Sequence, residues 1–186
     1  IYVADGPYVE EVLIDKSVHI IGQGPGTIIQ SPDDIVQTLT PGGSSYPIVL
    51  IKDTDRVTIE DLVIDGAGKG NSNNKFVGLG FYNASGTIDN LTIENIEHTP
   101  FSGVQGGVGL YGVFDDGNRH LVSILNTTVE DFQKNGMTFG SYENTPVILK
   151  IDGNRIVGKG ATDVTAQNGI QIQGPAINAT VENNIV

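Results

Sequence analysis

Gly78-Leu79-Gly80-Phe81, Gly107-Val108-Gly109-Leu110, Gly136-Met137-Thr138-Phe139 and Gly169-Ile170-Gln171-Ile172 are variants of one phrase, recurring roughly every 30 residues. A second phrase runs offset from it: Ile59-Glu60-Asp61, Ile88-Asp89-Asn90, Ile124-Leu125-Asn126, Ile151-Asp152-Gly153-Asn154 and Val181-Glu182-Asn183. Each copy of the second is followed within a few residues by the start of another strand, at Val63, Thr92 or Ile93, Val129, Ile156 and Ile185. Apolar residues alternate in twos within each phrase, the period of a strand with one face buried. One unit therefore reads as a strand, a turn, a second strand ending in Asn or Asp, a sharp turn, a third strand and a long loop. Such a unit cannot bury its own apolar face, and stacking copies builds a continuous core. The expected fold is all-β: a right-handed parallel β-helix, a solenoid of about six rungs wound from a single strand of chain.

The chain has 186 residues, with 25 Gly, one Met, no Trp and no Cys. That composition suits short strands and tight turns better than long helices, and without Cys there are no disulfides or thiolate sites. The expected organisation is one β-helix domain over 1–186. It is expected to be part of a longer solenoid truncated at the C-terminus, whose flanking residues would cap the exposed edges. The formal net charge is -12, from 22 acidic and 10 basic residues, a balance that argues against nucleic-acid partners. No apolar run is long enough for membrane insertion.

The first rung opens with Tyr8-Val9-Glu10-Glu11-Val12-Leu13-Ile14 and continues to Val18-His19-Ile20-Ile21-Gly22-Gln23-Gly24 and Thr27-Ile28-Ile29. Gly22, Gly24, Pro25 and Gly26 read as a turn, because no Lys-Ser/Thr follows to make a phosphate loop. Long excursions are expected at about 33–45, 66–75, 94–106, 113–119 and 158–167, where a rigid scaffold carries function. The turn residues Asp61, Asn90, Asn126, Asn154 and Asn183 are expected to form an inward ladder, since a side-chain amide can satisfy backbone groups of the neighbouring turn.

The segment Asp5-Gly6-Pro7-Tyr8-Val9-Glu10, with the His19 and Thr27 stretches that follow, resembles the opening rung of pectinesterases, NosD-type periplasmic proteins and surface β-helix proteins. Later stretches such as Asn168-Gly169-Ile170-Gln171-Ile172 resemble the carbohydrate-binding and sugar-hydrolase β-helix repeat. Together they place the chain, by resemblance, in the pectin lyase-like superfamily. That group includes uronan lyases, epimerases, pectinesterases, glycoside hydrolases, phage tail proteins and adhesins. The polygalacturonase motifs are absent apart from an isolated Asp115-Asp116; Asp131-Phe132-Gln133 is a fragment of a pectinesterase motif; the epimerase Asp-Pro-His is missing. Fold analogy alone does not assign an activity.

Members of the superfamily commonly bind saccharides on the strand face after the long loop. There, alternation points Leu79, Phe81, Val108, Leu110, Met137, Phe139, Ile170 and Ile172 inward. Tyr82, Tyr111, Thr138, Gln171 and Gln173 point outward and are the candidate carbohydrate-binding residues, with the two tyrosines expected at equivalent places on adjacent rungs to stack on sugar rings. The rival reading of the tyrosines is packing beneath neighbouring loops. The candidate catalytic loop is Asp115, Asp116, Arg119 and His120: the two acids for a hard cation such as Ca²⁺, Arg119 for a carboxylate, His120 as a base. Glu130, Asp131 and Lys134 are candidates to approach it. The alternative is an ordinary solvated turn. His19, His98 and His120 show no metal-ligand spacing, which weakens any copper association. Asn-X-Ser/Thr sequons stand at Asn83, Asn90, Asn126 and Asn178, of which Asn83 and Asn178 are expected to be the accessible ones.

The functional expectation is a secreted, periplasmic or cell-surface module with a structural or polysaccharide-binding role, its partner a polysaccharide or a surface protein. The alternatives are a polysaccharide-processing enzyme and a phage or adhesin shaft.

Overall fold

A computed structural model of the chain describes residues 1–73 and 75–186. The strands are β1 (Gly6–Val9), β2 (Val12–Ile14), β3 (His19–Ile21), β4 (Thr27–Gln30), β5 (Tyr46–Lys52), β6 (Val57–Glu60), β7 (Val63–Asp65), β8 (Phe76–Tyr82) and β9 (Gly86–Asp89). They continue as β10 (Thr92–Glu94), β11 (Val108–Phe114), β12 (His120–Leu125), β13 (Thr128–Glu130), β14 (Asn135–Ser141), β15 (Val147–Asp152), β16 (Arg155–Val157), β17 (Asn168–Gln173) and β18 (Ile177–Glu182). Each joins the strand three places on in the chain, giving three six-stranded parallel sheets: β1-β4-β7-β10-β13-β16, β2-β5-β8-β11-β14-β17 and β3-β6-β9-β12-β15-β18. This is a right-handed parallel β-helix of about six rungs. No helix among the described residues is long and apolar enough to cross a membrane.

The core is a set of columns. Ile20, Ile59, Ile88, Ile124, Ile151 and Val181 pair in succession down one sheet. Ile29, Ile64, Ile93, Val129 and Ile156 do so down another. β-branched residues suit this, because their stiff side chains pack on a pleated surface. One apolar cluster extends from Ile14 to Ile156. Ile172 follows the inward column of Phe81 and Phe139 but is 36% exposed on the last rung.

The expected register between rungs needs one correction. The glycine column is Gly78, Gly109, Gly136 and Gly169, because Leu110 pairs with Leu79 and with Met137. Gly107, chosen from the sequence phrase, lies two residues too early. A Cβ on Gly78 would sit 2.6 Å from the Gly109 carbonyl oxygen, and one on Gly109 would sit 2.7 Å from that of Gly136. Neighbouring rungs come too close here for any side chain.

The ladder is likewise two columns, not one. Asp61, Asn90, Asn126, Gly153 and Asn183 occupy the left-handed turn position, with φ of 59°, 53°, 46°, 72° and 56°. This column lies at the surface. Asn90, Asn126 and Asn183 each donate from Nδ2 to an Asp of the preceding rung: Asp61, Asp89 and Asp152, at 2.6, 2.8 and 2.8 Å. Asn154 stands one residue further on, in an inward column with the buried Thr127 and the half-buried Asn184. Its Oδ1 accepts from the Thr127 N–H at 2.9 Å, and its Nδ2 donates to the Ile124 carbonyl at 2.9 Å. Its own N–H donates to Asn184 Oδ1 at 2.9 Å. Counting two residues from the inward Ile or Val would have separated Gly153 from Asn154.

Asn154→Ala therefore strands a buried N–H and a buried carbonyl, and should cost about 2 kcal/mol. Asn183→Gly keeps the left-handed turn at an exposed site and should cost less than about 1 kcal/mol. Urea midpoints of the two variants test the distinction.

Candidate functional site

The strand face of β5, β8, β11, β14 and β17 carries the long strands, and two stretches of the connecting segments decide how much of it is open. Leu39, from the 31–45 segment, is 1% exposed and folds over the first rungs; a Cβ on Gly80 would lie 2.7 Å from its Cδ1. Leu39, Leu50 and Val113 form a second apolar cluster against which Tyr82 and Tyr111 pack. Further along the stack a groove of about 250 Å³ lies over this face, with Asn135 and Thr138 nearly buried at its floor.

Tyr111, Thr138, Gln171 and Gln173 line this groove, as do Asn135 and two lysines, Lys75 and Lys134. Tyr111, Thr138 and Gln171 stand side by side in register on β11, β14 and β17. Side-chain amides along this face form a continuous chain, in which Gln171 Nε2 donates to Gln173 Oε1 at 3.4 Å. Asn168 Nδ2 donates to Asn135 Oδ1 at 2.8 Å, and Asn135 Nδ2 donates to Thr138 Oγ1 at 2.8 Å and Gln171 Oε1 at 3.0 Å. Gln173 Nε2 donates to the Tyr142 hydroxyl at 2.8 Å. Burial, with a smaller push from Tyr142, raises the Tyr111 phenol above its ordinary range. Asn135 was missed in the sequence because it precedes Gly136 and reads as the end of a loop, whereas it opens β14.

Tyr82 is not the equivalent of Tyr111. It pairs with Val113 and Lys52, while Tyr111 pairs with Gly80. The offset is two residues, the same slip that misplaced Gly107, so no tyrosine stripe forms. Tyr82 faces Lys52, whose Nζ is 5.9 Å from its ring centroid. Burial, then Asp115 and Asp53, push its phenol up.

The 115–119 loop connects β11 to β12. Asp116, Arg119 and His120 share an open depression of about 370 Å³ with Asp53, Asp55 and Asn83. Asp115 lies beside it and accepts from Asn83 Nδ2 at 2.8 Å, while its N–H donates to Asn83 Oδ1 at 2.8 Å. His120 Nε2 meets Asp116 Oδ1 at 2.9 Å, and Asn118 donates to both oxygens of the same carboxylate. Partial burial raises the Asp116 pKa, but these hydrogen bonds outweigh it and hold the carboxyl below its usual range. His120 is 4% exposed, tilted against Phe114 at 5.2 Å between ring centroids. Its Nδ1 is enclosed with no partner among the described residues. Both members of this pair are engaged in holding the loop.

Glu130, Asp131 and Lys134 do not join that loop: Glu130 ends β13 beside Val157, Asp131 pairs with Lys159 at 2.7 Å, and Lys134 faces the groove. His19 meets Glu60 at 2.9 Å on β3, and His98 meets Ser102 at 3.0 Å. Among the described residues no three His, Asp or Glu side chains gather to hold a metal ion, at Asp115 and Asp116 or elsewhere. The sequons are reordered too. Asn83 is 8% exposed and tied to Asp115, whereas Asn90, Asn126 and Asn178 are exposed.

No protein-family model matches the chain, and no curated protein matches it by sequence. Among solved structures, a pectin methylesterase in complex with hexasaccharide VII aligns with 94% of this chain at 11% identity and a TM-score of 0.46. The chain spans 57% of that enzyme's length. A likeness of this degree names neither a family nor an activity for the chain.

Proposed function

We propose that the chain is a polysaccharide-binding β-helix module of an extracellular or surface protein, which holds its ligand in the groove over β11, β14 and β17. The observation that carries this reading is the pre-formed chain of amides and hydroxyls on a rigid sheet: Asn135, Thr138, Gln171 and Gln173, flanked by Tyr111. Amides donate and accept at once, as sugar hydroxyls do. Tyr111 offers an aromatic body with a polar end. Because the side chains are already hydrogen-bonded on strands, little further ordering is needed on binding.

Hydrolysis of a glycoside calls for two carboxylates across the bond, and proton abstraction for a base within reach. No Asp, Glu or His lines this groove among the described residues, so the reading is binding without turnover.

A glycan array with the wild-type chain should show saturable binding to a polysaccharide class. Tyr111→Ala should weaken it about tenfold, whereas Tyr82→Ala, which lies outside the groove, should leave it unchanged. Binding to no glycan on the array would sink the reading and leave a structural shaft. Equal losses from both tyrosines would move the site off the groove.

A further inference from the structure

We propose, resting on the groove reading above, that the ligand is an anionic polysaccharide whose carboxylate or sulfate groups are held by Lys75 and Lys134. In this acidic chain, Lys16, Lys52, Lys69, Lys150 and Lys159 each pair with a carboxylate. Lys75 and Lys134 are the remaining lysines. Among the described residues neither has a carboxylate partner, and both line the same groove. They arrive there from separate places, just before β8 and just before β14.

Both ammonium groups are held in position. Lys75 Nζ donates to Ser44 Oγ at 2.9 Å, and Lys134 Nζ donates to the Ala166 carbonyl at 2.7 Å. These neutral acceptors anchor the side chains without cancelling their charge. Each ammonium has three N–H bonds, so donors remain for a ligand. The 31–45 and 158–167 segments therefore position two cations beside the amide floor.

A net charge of -12 opposes the approach of a polyanion. At physiological ionic strength charges are screened over ~8 Å, so the groups lining the groove govern the bound state. That lining contains two cations and no carboxylate among the described residues. The backbones of Lys75 and Lys134 are two strands apart in the sheet, about 10 Å at the parallel-strand spacing. Their ammonium groups reach outward from there, towards Ser44 before β5 and Ala166 before β17, so they flank the amides and would meet separate anionic groups of a chain laid along the stack. The amides between them match hydroxyls, which favours an acidic glycan over an acidic peptide.

Calorimetric titrations test this with alginate, carboxyl-reduced alginate, dextran sulfate, dextran and poly-L-glutamate. The wild-type chain should bind at least one charged glycan about tenfold or more tighter than its neutral counterpart. Alginate and dextran sulfate separate carboxylate from sulfate recognition. Lys75→Gln and Lys134→Gln should each cost about tenfold for the charged glycan, a clearly larger loss than for its neutral counterpart. Arginine at both positions should restore affinity, which a merely structural role would not require. Equal binding of charged and neutral forms, unaffected by the glutamines, would overturn the inference while leaving the groove reading intact. Poly-L-glutamate binding as tightly as the glycans would overturn the glycan assignment. Binding of none of the five would overturn both.

Discussion

Phe139→Ala is expected to lower unfolding free energy by about 4 kcal/mol, the range for truncating a fully buried phenylalanine. Phe139 is 0% exposed on β14, and its column reads Ile51, Phe81, Gly112, Phe139 and Ile172. Gly112 makes room for the neighbouring rings: a Cβ there would lie 2.7 Å from Phe139 and 2.9 Å from Phe114. Truncating Phe139 removes the ring that fills the space over Gly112. The surrounding strands are tied above and below by their ladders, so they cannot collapse into the gap. A denaturant midpoint lowered at constant m-value would show the loss. A change below about 1 kcal/mol would mean that the rungs repack freely.

Gly136→Ala acts by the opposite route. The added Cβ would sit 2.3 Å from Ile156 Cγ2 and 2.7 Å from the Gly169 carbonyl oxygen. Ile156 is β-branched and stiff, and the carbonyl belongs to the adjacent strand, so neither yields cheaply. The expected cost is about 3 kcal/mol. Gly136 has no left-handed backbone angle, so the penalty is steric. Ile156→Ala removes one of the two clashes, and the double variant should cost less than the sum of the singles. Strict additivity would show that the close approach is not what requires glycine here.

Both residues are legible in the repeated phrases of the sequence, and the reason is local. Alternation at period two tells which side chains face in, and that parity held for Leu79, Phe81, Leu110, Met137 and Phe139. Val108, expected inward, instead lines the groove, because the alternation breaks at the Gly109 position. Pairing between rungs is a different matter. It depends on how many residues each loop consumes, and phrase matching cannot count them. One two-residue slip put Gly107 in place of Gly109 and Tyr82 opposite Tyr111. Parity survives a shift of two, so nothing in the alternation betrayed it. The turn ladder failed similarly, because Gly153 took the left-handed position that Asn occupies elsewhere and pushed Asn154 inward.

The sequence by itself determined the all-β solenoid, the strand–turn–strand unit and the polar character of one strand face, because all three follow from short-range periodicity and turn chemistry. The groove was decided by tertiary structure. Leu39 covers one part of that face and leaves a groove over another part, which depends on where the long segments pack. The charge pattern is also tertiary: five lysines find carboxylates and Lys75 and Lys134 do not. The same holds for His120 and Asp116, where spacing suggested an acid–base loop and folding enclosed the imidazole against Phe114. Neutralisation and burial depend on distances through space between residues far apart in the chain, and a linear pattern does not encode them.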